Sequence, residues 1–87
     1  MKNVTIKTIV KEIIYSKHAL EMLSFRKIGK RDIKSCLRAS DKVSLGRKGR
    51  KIYYKGIGKK VLKVVVAENK SIVVVTCHWI ASDRIKL

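Results

Sequence analysis

The chain has 87 residues, 46% of them hydrophobic and 32% charged; that mixture excludes a disordered chain and leaves room for one domain with one modest core. Lys and Arg number 22 against six Asp and Glu, a net charge of +16. A charge that large on so small a domain points to polyanionic partners, nucleic acid first and an acidic protein second.

Residues 4–15 are rich in β-branched side chains, with Val4 and Ile6 alternating ahead of Ile9 and Ile13. They predict a strand, or a strand with an extended lead-in covering residues 1–14. Met1 to Lys7 is punctuated by lysine and carries no small-residue cleavage site, so it does not read as a signal peptide. Ser16 stands where its hydroxyl can accept a free amide of a first helical turn. From 17 to 28, Ala19, Leu20, Met22 and Leu23 fall at helical spacing, with Lys17, Glu21 and Lys27 facing outward. Gly29 is the expected helix stop, because glycine enters the left-handed conformation without strain. A second helix over 31–39 sets Ile33, Cys36 and Leu37 on one stripe, and the pair makes a helical hairpin.

The period then changes to two. Strands are expected over 43–45, 51–57, 61–67 and 71–80, separated by turns at Gly46-Arg47-Lys48-Gly49, Gly58-Lys59-Lys60 and Asn69-Lys70. Asn69 suits the positive φ of a two-residue hairpin turn. Val64-Val65-Val66 and Ile72-Val73-Val74-Val75 lack polar alternation, which marks central strands covered on much of both faces. The sum is a single α+β domain over residues 1–87, with a helical hairpin packed on a curved antiparallel sheet, in the order β-α-α-β-β-β-β. No apolar run approaches the roughly 20 residues of a membrane-spanning helix. Cys36 and Cys77, without CxxC spacing, read as reduced core thiols, and a cytoplasmic protein is expected.

Between Gly46 and Lys63 the chain has many cations and no carboxylate. Alternation places Lys51, Tyr53 and Lys55 on one strand face, with Ile52 and Tyr54 on the other, and Lys63 of the next strand beside the triplet. A cationic face with an aromatic can hold phosphates and stack a base; the same lysines can equally keep an exposed edge soluble. Arg47 and Arg50 can grip phosphate bidentately, and Lys48, Lys59 and Lys60 extend the basic track. His18, in the first helical turn, can serve as a general base or as a hydrogen-bonded structural histidine. Arg26, about two turns along, can share a site with it. His78, in phase with Ile72, Val74 and Thr76, is expected to pack inward, with a catalytic role as the lesser alternative. The scattered His, Cys and carboxylates have no metal-ligand spacing, and neither a metal nor a cofactor is expected.

The run Tyr15-Ser16-Lys17-His18-Ala19-Leu20-Glu21-Met22, then Arg26 and Ile28-Gly29, resembles the opening of a small bacterial and archaeal domain family grouped with the RelE/ParE toxins. The turn and strand Lys48-Gly49-Arg50-Lys51-Ile52-Tyr53-Tyr54 and the two valine-rich strands continue the likeness as far as Trp79. Lys30 departs from it, standing where relatives carry a capping Ser or Thr. The resemblance implies helices on one side of a curved sheet and a cationic cleft on the other. It further implies a metal-independent endoribonuclease acting on mRNA, often on the ribosome, neutralised by an acidic antitoxin. In that scheme His18 is base or orienter, Arg26, Lys51, Lys55 and Lys63 hold phosphate, and Tyr53 stacks a base or assists proton transfer. Two alternatives stay open: a non-catalytic RNA- or DNA-binding module of the same fold, and a ParE-like toxin aimed at a protein. Monomer and homodimer are both compatible with the sequence.

Overall fold

The computed structural model describes residues 12–85. Within them β1 (Ile13–Tyr15) leads into α1 (Lys17–Arg26) and α2 (Lys30–Arg38); β2 (Lys42–Leu45), β3 (Lys51–Ile57), β4 (Lys60–Glu68) and β5 (Ile72–Ala81) follow. The strand expected over 4–15 falls inside the described residues only at its end; the rest of that expectation lies outside them. The five strands form one sheet in the order β1-β5-β4-β3-β2. β2 to β5 make an antiparallel meander, and β1 closes the sheet by pairing parallel to β5. The architecture is the expected α+β one. Among the described residues no helix is long and apolar enough to cross a membrane, and no group of His, Cys, Asp or Glu could hold a metal ion.

Both helices lie on one face of the sheet, α1 over β5 and β1, α2 over β4 and β3. Ala19, Leu23, Ile28, Ile33 and Cys36 come from the helical layer to meet Leu62, Val64, Val66, Val74 and Cys77 of the two central strands. The start of α1 is fixed as its sequence predicts: the Ser16 hydroxyl accepts from the Ala19 N–H at 3.0 Å and donates to the Val75 carbonyl at 3.1 Å. One side chain thus caps the helix and ties it to the sheet.

The helix junction differs from expectation. α1 stops at Arg26, and Lys27, not Gly29, takes the left-handed conformation (φ 55°, ψ 48°). The Ile28 N–H bonds to the Leu23 carbonyl at 2.9 Å and the Lys27 N–H to that of Ser24 at 3.4 Å, a Schellman closure. The reason is apolar: the closure buries Ile28 against Leu23, and that gain outweighs the strain at a lysine. Gly29 (φ −81°) instead opens α2, without a side-chain cap. The β4–β5 connection also differs. It spans residues 69–71, and Asn69 is not among the residues of positive φ; a three-residue connection does not need the primed turn that a two-residue one requires.

The meander register assigns every side chain to a face. Leu62, Val64 and Val66 of β4 face the helices, and opposite them on β3 stand Lys55, Tyr53 and Lys51. On β5 the register slips by one residue opposite Val65 and Val66: Val66 pairs with Val74 but Val65 with Thr76. This bulge reverses the phase of the strand. Ile72 and Val74 share the helix side with Cys77 and Trp79, whereas His78 is turned to the opposite face. The inward packing expected for His78 is therefore corrected by a single extra residue.

Candidate nucleic-acid interface

The triplet Lys51, Tyr53 and Lys55 lies on the side of the sheet that the helices cover, and its side chains are committed there. The Tyr53 hydroxyl donates to Glu68 Oε1 at 2.8 Å. Burial first, and then this bond to a carboxylate, push its pKa up to about 12. Lys51 Nζ lies 3.6 Å from the same Glu68 oxygen. Lys55 Nζ donates to the Ala39 carbonyl at 3.0 Å, which satisfies the C-terminal end of α2. Lys63 does not join them. It pairs across the sheet with Tyr54 on one side and His78 on the other, on the opposite face.

Neither α1 nor α2 covers that second face, and one transverse row crosses it. Lys42 of β2 opposes Tyr54 of β3, Tyr54 opposes Lys63 of β4, and Lys63 opposes His78 of β5. At about 4.8 Å per strand, the row spans roughly 14 Å. Lys42 Nζ sits 5.9 Å from the Tyr54 ring centroid. α1 completes the row from the sheet edge: Arg26 Nη1 contacts His78 Nδ1. Its helix is held in place where the Trp79 indole N–H donates to the Arg26 carbonyl at 3.2 Å. Among the described residues neither Lys42, Lys63 nor Arg26 has a carboxylate at ion-pair distance.

Guanidinium has donors only, so His78 Nδ1 accepts and Nε2 carries the proton. The pKa of His78 is lowered from 6.5, first by burial and then by the fields of Arg26, Lys63 and His18. His18 is thus brought into the electrostatic neighbourhood of His78, although 60 residues separate the two in sequence. On α1, His18, Met22 and Phe25 fall on one stripe beside Arg26. Phe25, next to Arg26 along α1, is 79% exposed, an aromatic ring offered to solvent.

The long basic stretch is split by the fold. Arg47 and Lys48 lie exposed in a 3-10 turn ahead of β3, with Arg50 half-buried behind them. Lys59 and Lys60 stand at the far end of β3, where Lys60 Nζ lies 5.8 Å from the Trp79 ring centroid. A seven-residue strand puts roughly 20 Å between the two groups, one at each end of the sheet. A further cationic depression, lined by Arg31, Lys34, Ser35, Arg38 and Ala39, lies on α2 itself.

Lys42, Tyr54 and Phe25 are not candidates from the sequence, and His78 is one only as the lesser alternative to inward packing. One signal for the open face was present: Lys63 sits between Leu62 and Val64, so a core at those positions turns Lys63, and its neighbours across the sheet, away from it. Compared with family models, curated proteins and solved structures, the chain gave no match.

Proposed function

We propose that the open sheet face binds single-stranded RNA and cleaves it without a metal, in the manner of a RelE-like toxin. The observation that carries this reading is the Arg26–His78 pair beside Lys63, where α1 reaches the edge of the face that neither α1 nor α2 covers, with the charge of His18 felt at His78. In the reaction, a ribose 2′-hydroxyl gives its proton to His18, and its oxygen bonds the adjacent phosphorus. The bond from phosphorus to the 5′ oxygen then breaks, and the leaving oxygen takes a proton from water. Charge that builds on the phosphoryl oxygens is met by Lys63 and the free N–H groups of Arg26. The His78 Nε2–H, oriented by Arg26 at the other ring nitrogen, donates one more hydrogen bond. Tyr54 and Phe25 offer faces on which bases stack, while the two terminal basic turns hold flanking phosphates. Such an enzyme would work in the cytoplasm and be restrained by an acidic antitoxin.

The non-catalytic reading, an RNA- or DNA-binding module of the same fold, draws on one observation. Tyr53 and Lys55, the residues most suited by type to proton transfer and phosphate contact, are hydrogen-bonded into the fold. End-labelled RNA incubated in EDTA, with and without ribosomes, separates the readings. Cleavage leaving 2′,3′-cyclic phosphate ends is expected, reduced about 100-fold or more in His18→Ala and about tenfold in Lys63→Ala. Lys55→Ala should cut as the wild type does. Salt-sensitive binding without cutting would leave the binding module, and no binding at all would shift the target to a protein, as in ParE-like toxins.

A further inference from the structure

We infer that the outer edge of β2 is a docking strand for an extended, acidic segment of a partner protein. β2 is the terminal strand of the sheet order, and no described strand lies beyond it. The Gly46 N–H donates to the Arg50 carbonyl at 2.7 Å, which sets the alternation of an antiparallel pair. Gly46, Ser44 and Lys42 spend their backbone groups on β3, so Val43 and Leu45 point their N–H and C=O groups away from the sheet. The same two residues carry the apolar side chains of the strand, 49% and 79% exposed. An edge with unpaired backbone groups and exposed apolar side chains is the feature that sheet proteins ordinarily cover or charge. Among the described residues nothing covers it, and its charges stand at the two ends of the strand, which leaves the middle in the form that strand addition uses: backbone bonds for affinity, alternate side chains for selectivity.

Charge selects the occupant. Arg38 and Lys42 stand at one end of the strand and Arg47 and Lys48 at the other, all exposed. The nearest acid, Asp41, is engaged by the Gly56 N–H at 2.8 Å. A second copy of this chain would bring another +16 against the first, so edge-to-edge self-pairing is opposed. Nucleic acid matches the charge but has no alternating apolar side chains for Val43 and Leu45. An extended peptide with alternate apolar and acidic residues satisfies the backbone edge, the apolar pair and the flanking cations together. The inference is independent of any activity on RNA.

The test uses the full chain with a short synthetic peptide alternating Glu and Val, and a counterpart alternating Lys and Val. The acidic peptide should bind in a salt-dependent way and slow hydrogen exchange at the Val43 and Leu45 amides, while the basic one does neither. Val43→Pro removes an outward donor that β3 does not use, at a position where edge strands accept proline. It should keep its melting temperature and bind about tenfold or more weakly; Leu45→Ser should also weaken binding. Equal binding by both peptides, or unchanged binding by Val43→Pro, would overturn the assignment. So would exchange protection confined to other strands, no binding of the acidic peptide, or sedimentation showing a dimer that Val43→Pro dissociates.

Discussion

Because guanidinium has no acceptor, the Arg26–His78 contact survives only while Nδ1 of the ring is unprotonated. Burial first, and then the charges of Arg26, Lys63 and His18, lower the pKa of the ring, and protonation would in addition set a donor against a donor. Arg26→Ala should therefore move the His78 titration upward, toward 6.5, as followed by its ring proton shifts in NMR. The sign for stability follows. With the folded pKa depressed, the unfolded chain binds more protons as pH falls through about 6.5, so folding stability is present above that value and lost below it. Wild type should lose stability between pH 7 and 5 through this ring, and Arg26→Ala should lose less; equal pH profiles in denaturant melts would refute the linkage. Tyr53 poses the opposite case. Its hydroxyl serves Glu68, so Tyr53→Phe should cost about 1–2 kcal/mol in urea melts and leave any RNA cleavage unchanged. A loss of cleavage without a loss of stability would restore Tyr53 to the site.

At the scale of elements, the closures that hold the helices can be tested separately from the site. Ser16 both caps α1 and bonds the β5 backbone, so Ser16→Ala should cost about 1–2 kcal/mol. Lys27 holds a left-handed conformation that glycine takes freely. Lys27→Gly should stabilise the fold by about 0.5 kcal/mol, the left-handed strain less the entropy cost of glycine; a destabilised variant would mean that the Lys27 side chain contributes packing. These two sites also show what a single sequence discloses. The Ser16 cap was legible because it depends on its own neighbours along the chain. The position of the left-handed residue was not, since it was decided by where Ile28 could be buried, a tertiary matter. The order of strands and helices followed from periodicity. The face of His78 did not, because one bulge residue inverts everything after it, and alternation carries no mark of where a bulge falls. The candidate site suffered most from this. Helical spacing makes His18 and Arg26 candidates, whereas alternation alone gives Lys63 the wrong neighbours and His78 the wrong side.

The whole molecule carries far more positive charge than one row of side chains can use, and the division of that charge is itself testable. Cations that touch phosphates release counterions when RNA binds, so each sets a share of the slope of log K against log salt; cations elsewhere raise the local potential and speed encounter without changing that count. Lys42 and Lys63 lie in the transverse row, while Arg31, Lys34 and Arg38 line the depression on α2, which packs on the other face of the sheet. Replacing Lys42 and Lys63 together by alanine should lower the slope for single-stranded RNA by about 1.4, at roughly 0.7 per phosphate contact. Replacing Arg31, Lys34 and Arg38 should leave the slope unchanged and reduce the association rate at low salt. Filter binding across a salt series, with stopped-flow association at its low end, measures both quantities. Were the α2 variant to lose as much slope per charge as the row variant, RNA would be wrapping both faces, and the row would lose its claim to be the binding track. Were neither variant to change the slope, the contacts would lie in the two terminal turns, with Arg47 and Lys60 as the next residues to replace.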